Sequence, residues 1–184
     1  MKTDANLMNK EKQALIIRKY LQYLKLEKSL SINTQEAYKQ DLDKLLHYLK
    51  SEQTGVLEVS MQQLQTFFAG LHDIGIVPRS QARILSGVKS FFHFMVLADY
   101  RDDDPSELLE GPKIGLKLPE VLTVDEIDRI IAAIDSDKPE AQRNRAMLET
   151  LYSCGLRVSE LCGLKISELY FKQGFIKVEG KGSK

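Results

Sequence analysis

The sequence predicts a mainly α chain, with four helices gathered into a first domain and a mixed α/β part behind it. Apolar residues recur at helical spacing through most of the chain up to Leu97. The segment RDDDPSELLEGPKIGLKLPEVL then interrupts that period with three prolines and two glycines. Beyond Lys165 the period shortens from helical to strand-like in LYFKQGFIKVEGKGSK, the mark of a hairpin.

Each element has a local reason. From Lys10 to Leu26 the positions Leu15, Ile16, Tyr20, Leu21, Tyr23 and Leu24 form one apolar face, with charged residues between them. A second helix follows in SINTQEAYKQDLDKLLHYLK, where Ser31 or Asn33 can cap and Tyr38, Leu42, Leu45, Leu46 and Leu49 make the stripe. Ser60 and Gln63 have the spacing of a capping box and open a third helix to about Ile74. Pro78 suits the first turn of a fourth, which runs to about Leu97. Four amphipathic helices on short connections form a compact bundle.

The breaker-rich segment divides the chain into a helical domain over 1–110, a linker over 111–119 and a second domain over 120–184. Thr123 and Glu126 give another capping box, opening TVDEIDRIIAAID. A helix from Glu140 to Ser153 ends at Gly155, a left-handed C-cap, and a short helical piece covers Val158 to Gly163. The hairpin turns at Lys172 to Gly174, and its second strand is expected over Phe175 to Val178.

Charge and cysteine content narrow the function. Lys plus Arg and Asp plus Glu both number 26, so the total charge is zero and gives no argument for a polyanionic partner. Mildly basic stretches lie over 1–52 and 165–184, where a phosphate-facing surface and an ordinary solvated face look alike. Cys154 and Cys162 lack metal-ligand spacing and read as reduced thiols in a packed interior. No apolar run follows the charged start MKTDANLMNKEK, and no stretch approaches the ~20 apolar residues of a membrane span, so a cytoplasmic protein is expected. No exposed apolar stripe suggests a protein adaptor.

Chemistry concentrates in a few places. Arg157 sits just past Gly155, with Leu156, Leu161 and Leu164 anchoring the backbone around it. A guanidinium held there is a fork of donors suited to phosphate, and a plain surface pair with Glu160 fits the same spacing. Lys181 lies between glycines in EGKGSK, where it can approach a ligand closely or be part of a flexible tail. A phosphate-binding loop is excluded there, because Phe175 stands where that motif needs glycine and Gly182 where it needs Ser or Thr. On the fourth helix Arg79, Arg83, Ser86 and Ser90, with Lys89 beside them, form a polar face that fits a major groove or open solvent. Thr34 and Tyr38, one turn apart on the second helix, can reach a phosphate or serve as cap and core. His47, His72 and His93 have no partner nearby in sequence and read as surface residues.

Together these motifs resemble the Xer-type tyrosine recombinases of the phage integrase family. The resemblance runs through NTQEAYKQDL, ARILSGVKSFFHFM, DDPSELLEGPK, LPEVLTVDEID, RNRAMLETLYSCGLRVSELCGLKISEL and VEGKGSK, nearly the whole chain. It implies a four-helix, SAM-like core-binding domain on one side of a DNA duplex, followed by the N-terminal part of a mixed α/β tyrosine-recombinase catalytic domain on the other. It makes Arg157 the first catalytic arginine and Lys181 the lysine of the β-hairpin loop, with Thr34, Tyr38, Arg79, Arg83 and Lys89 as DNA-binding candidates. The implied reaction joins a tyrosine to a 3′-phosphate and frees a 5′-hydroxyl, with no metal or nucleotide cofactor. Implied partners are a double-stranded DNA recombination site and a second recombinase protomer of the same or a related type.

The family pattern continues through a His-x-x-Arg pair, a further His or Trp and the nucleophilic Tyr, whereas this sequence ends at Lys184 with no histidine after His93 and no Trp. Tyr152 and Tyr170 do not match the nucleophile's place. A fragment of a recombinase is the expectation; a non-catalytic DNA-binding or regulatory relative is the alternative.

Overall fold

In a computed structural model, residues 2–115 and 118–180 are described, with side chains from residue 12 onward. Two compact units divide the chain, Met1–Leu116 and Lys117–Lys184. The fold is mainly α, with a short hairpin in the second unit.

The first unit consists of α1 (Lys2–Leu26), α2 (Ile32–Ser51), α3 (Met61–Asp73) and α4 (Pro78–Leu97). Helix α1 starts well before the expected Lys10, since no proline or glycine in KTDANLMNK stops it. Ser31 is the cap that α2 uses, its hydroxyl accepting from the Thr34 amide at 3.3 Å. At α3 both halves of the capping box form, Ser60 Oγ accepting from the Gln63 amide and Gln63 Oε1 from the Ser60 amide. Pro78 opens α4 at its first turn, where a missing amide proton costs nothing.

The apolar stripes of these helices meet in one core. Ile84, Val88, Phe91, Phe92 and Met95 of α4 are buried among Ile16, Tyr20 and Leu24 of α1, Leu42, Leu45 and Leu49 of α2, and Leu64 of α3. Tyr20 stands edge-on to Phe91, with ring centroids 5.2 Å apart, and its hydroxyl donates to the Gly87 carbonyl at 3.4 Å. Burial pushes that hydroxyl's pKa far above the usual tyrosine value, which keeps it a neutral donor.

The start of the breaker-rich segment belongs to this unit. Pro105, Ser106 and Leu109 are buried. Arg101, at the start of the segment, has only 8% of its side chain exposed. Its Nη1 donates to the carbonyls of Val56 and Val59 at 3.1 and 3.2 Å, while Nε and Nη2 hold the Asp103 carboxylate at 2.9–3.1 Å. One side chain thereby ties the end of α4 to the α2–α3 connection. Arg101→Ala leaves two buried carbonyls without donors, so it is expected to lower the unfolding free energy by roughly 2–4 kcal/mol, read from the urea midpoint. An unchanged midpoint would contradict this role.

The second unit carries α5 (Val124–Ala132), α6 (Ala141–Cys154), α7 (Val158–Gly163), a 3-10 turn over Ile166–Glu168, and strands β1 (Leu169–Tyr170) and β2 (Phe175–Ile176). The capping box of α5 forms as the sequence predicts, and the Thr123 amide and hydroxyl hold the Glu126 carboxyl below the usual carboxylate range. Gly155 ends α6 with φ +62°, ψ 31°, the left-handed geometry that glycine adopts without strain. The hairpin pairs Leu169 with Ile176 and Tyr170 with Phe175, and Gly174 completes its turn at φ +74°. Its second strand ends at Ile176, not Val178, because two strands with no third neighbour sustain little pairing.

No described residue of the second unit is buried. Ile166 and Phe171 are 87% and 83% exposed, and Cys154 and Cys162 are exposed free thiols, not core residues as expected. Apolar side chains that the sequence pattern assigns to an interior here face outward. No helix among the described residues is long and apolar enough to cross a membrane.

Candidate functional site

Arg157 occupies the N-cap of α7 in extended backbone geometry, set between the left-handed turn at Gly155 and the first turn of the helix. Glu160 fixes it from one turn ahead. Its Oε2 accepts from the Arg157 amide and its Oε1 from Nη1, both at 2.7 Å. These bonds, the backbone one first, hold the Glu160 carboxyl below the usual carboxylate range. The Arg157 side chain remains 71% exposed, and its Nε and Nη2 donate to no described residue. What the pairing leaves is one planar edge of the guanidinium, oriented and open.

Next to this turn lies a cleft of about 340 Å³ lined by Ser159, Glu160 and Gly163 of α7, by Lys165 and Glu168, and by Val178 to Gly180. The chain leaving β2 therefore returns to the same helix that Arg157 caps. Lys181, the next residue, lies outside the described residues. Among the described residues no group of three or more His, Cys, Asp or Glu is arranged to hold a metal ion.

A second cluster forms where α2 crosses α4. Gly87 lets the helices meet so closely that a Cβ there would touch Asp41 Cβ and Tyr38 Cδ1 at 3.5 Å. Asp41, fully buried, accepts from Arg83 Nη1 through one carboxylate oxygen and from Lys44 Nζ through the other at 3.3 Å. Arg83 Nη1 also donates to the Ala37 carbonyl at 3.4 Å. Tyr38 is half-buried against the core, and the Thr34 hydroxyl shares a 2.8 Å bond with Ser31 at the mouth of α2. Arg79 is exposed one turn before Arg83. Lys89 is drawn away from this cluster, its ammonium donating to the Glu107 carbonyl at 3.0 Å. His47, His72 and His93 are all on the surface.

Sequence reasoning passed over Asp41. The signal was present, because Tyr38, Asp41, Leu42, Leu45 and Leu49 keep one helical stripe, and an acid inside an apolar stripe marks a buried carboxylate needing a partner.

Comparison with known proteins shows the family. Residues 17–99 match the family described as "Phage integrase, N-terminal SAM-like domain", and residues 120–184 match "Phage integrase family". The chain belongs to the phage integrase family. Within it the chain is of the Xer type: it is 40% identical to a tyrosine recombinase XerD of Proteus mirabilis over 96% of its own length and 56% of that relative's. A tyrosine recombinase XerD of Staphylococcus epidermidis is 38% identical over 92% of this chain and 58% of its own. The chain thus spans little more than half the length of these curated relatives. Among solved structures, the fold is shared with a lambda integrase tetramer bound to a Holliday junction, at a TM-score of 0.73 and 19% identity over 91% of this chain and 45% of that one. It is also shared with a XerH site-specific recombinase bound to its difH substrate, at a TM-score of 0.61 and 21% identity over 82% of this chain and 47% of that one.

Proposed function

We propose that this phage integrase family chain serves site-specific DNA recombination, with residues 1–110 as the DNA-clamping domain and residues 120–184 as part of the catalytic one. The observation that carries the reading is Arg157, locked at the N-cap of α7 with an open guanidinium edge, beside a cleft lined by Ser159, Glu160 and Val178 to Gly180. In this reaction a tyrosine oxygen bonds to the scissile phosphorus and the bond to the 5′-oxygen breaks. Arg157 takes up the charge that develops on the non-bridging oxygens, and Lys181 delivers the proton to the departing 5′-oxygen. The open edge of Arg157 suits a phosphate, since two parallel donors match two of its oxygens.

On the first unit, Thr34, Tyr38, Arg79 and Arg83 form the surface offered to the duplex by α2 and α4, and Lys89, held on the Glu107 carbonyl, is a further contact away from that cluster. The solved structures sharing this fold include recombinases bound to DNA as dimers and tetramers, which supports a duplex recombination site and a second recombinase protomer as partners. Binding by the chain itself is expected to be weak and strongly salt-dependent, because its net charge is zero while local basic faces still displace counterions. Anisotropy of a fluorescein-labelled duplex, titrated with protein at rising salt, measures this. The logarithm of the affinity is expected to fall linearly with that of salt, by about 0.9 per phosphate neutralised. Absence of binding at low salt, or binding indifferent to salt, would overturn the DNA-clamping reading.

A further inference from the structure

Buried between α2 and α4, the Asp41 carboxylate is fully enclosed by protein, yet both cations it holds reach the surface, with 43% of the Arg83 and 40% of the Lys44 side chain exposed. A carboxylate so enclosed is costly unless it is paired, and its pairing dictates where those cations can point. Nη1 of Arg83 is committed twice, to Asp41 and to the Ala37 carbonyl. Its Nε and Nη2 donate to no described residue. The guanidinium is planar, so anchoring Nη1 fixes the remaining edge, a side-on pair of parallel donors facing away from the carboxylate. Such an edge matches a phosphate's two oxygens or the O6 and N7 of guanine. Gly87 lies at the same crossing, where an added Cβ would stand in ordinary contact with Asp41 and Tyr38 at 3.5 Å.

We propose that Asp41 is a positioning residue for DNA recognition: it touches no DNA and acts by holding Arg83 so that the Nε–Nη2 edge meets the duplex. The inference rests on the DNA-clamping reading of α2 and α4. A free arginine must give up side-chain freedom when it binds, whereas one already anchored has surrendered much of it on folding. Asp41 therefore strengthens binding although its charge is negative.

Affinity for a fluorescein-labelled duplex at fixed low salt, measured on the whole chain with thermal unfolding of each variant recorded alongside, tests this. Arg83→Ala is expected to weaken binding about tenfold and Asp41→Asn several-fold, while Asp41→Asn added to Arg83→Ala changes affinity by less than about twofold, since the two act through one contact. Arg83→Lys supplies an independent arm that does not disturb the buried acid: lysine keeps the pair with Asp41 and the charge but has no planar edge, so it should stay as stable as the parent and bind almost as weakly as Arg83→Ala. If Arg83→Ala binds like the parent, the DNA-clamping reading fails at this face and the inference fails with it. If Arg83→Ala weakens binding but Asp41→Asn weakens it equally in both backgrounds, or tightens it, or if Arg83→Lys binds like the parent, the inference alone is overturned.

Discussion

Produced separately, residues 1–116 are expected to unfold in a single cooperative transition, and residues 117–184 to show none. The first unit encloses a continuous core from Ile16 to Leu109, with Phe91, Phe92 and Tyr20 fully enclosed. By the usual size scaling its calorimetric enthalpy is on the order of 80 kcal/mol near 60 °C. The second unit has no buried residue among those described, while ordering each backbone residue costs about 1–2 kcal/mol in lost conformational freedom. Capping boxes at Thr123 and a glycine stop at Gly155 shape its helices but supply only a small part of that cost. Helices as short as α5 and α7 are marginal in water without a packing surface. Scanning calorimetry and near-ultraviolet circular dichroism of the two pieces measure the difference. A sharp heat-absorption peak from residues 117–184 alone would show that the unit assembles a core of its own, and the account of its exposed Ile166 and Phe171 would be wrong.

The same contrast explains what was legible in the sequence. Helix ends are legible at Ser60, Pro78, Thr123 and Gly155, because capping, proline and left-handed glycine act within a few residues. The stripe of α4 was legible for the same reason, since a helix period needs no knowledge of what it packs against. Arg101 was invisible because its partners, the carbonyls of Val56 and Val59, lie more than 40 residues earlier and carry no side-chain signature. Residue type places Cys154 and Cys162 in an interior, but burial depends on a facing surface that the described residues 118–180 do not provide. At the site, the glycine before Arg157 marks a constrained arginine, and Glu160 at three residues' distance marks its partner; the pair forms, and 71% of the arginine side chain stays exposed. Asp41 carried a pattern signal that only its buried neighbours make meaningful.

The chemistry itself gives the largest expected effect. The 184-residue polypeptide is expected to form no covalent adduct with a nicked suicide duplex, a substrate that traps 3′-phosphotyrosyl product on a denaturing gel. Tyr152 lies on α6, ahead of Arg157 in the chain, and Tyr170 lies on β1, stacked on Phe175 with ring centroids 4.5 Å apart. The reaction proposed above assigns neither as its nucleophile, and phosphoryl transfer depends on an attacking oxygen aligned with its leaving group; the loss of such alignment removes on the order of 7–11 kcal/mol of barrier reduction. Fusing the chain to the sequence that follows the matched region of the Proteus mirabilis relative should restore the adduct. In that longer chain Arg157→Ala is expected to cut the adduct-forming rate by about 10²–10³-fold, the cost of removing one preorganised donor from a developing oxyanion, while duplex affinity changes by less than about twofold. Glu160→Gln is a finer probe, because its amide keeps one of the two acceptors, puts a donor in place of the other and removes the charge that pairs with Nη1. An adduct formed by the 184 residues alone and lost on Tyr152→Phe or Tyr170→Phe would assign that tyrosine as the nucleophile and displace the present reading. A fusion whose rate is indifferent to Arg157→Ala would instead leave the guanidinium as nothing more than the partner of Glu160.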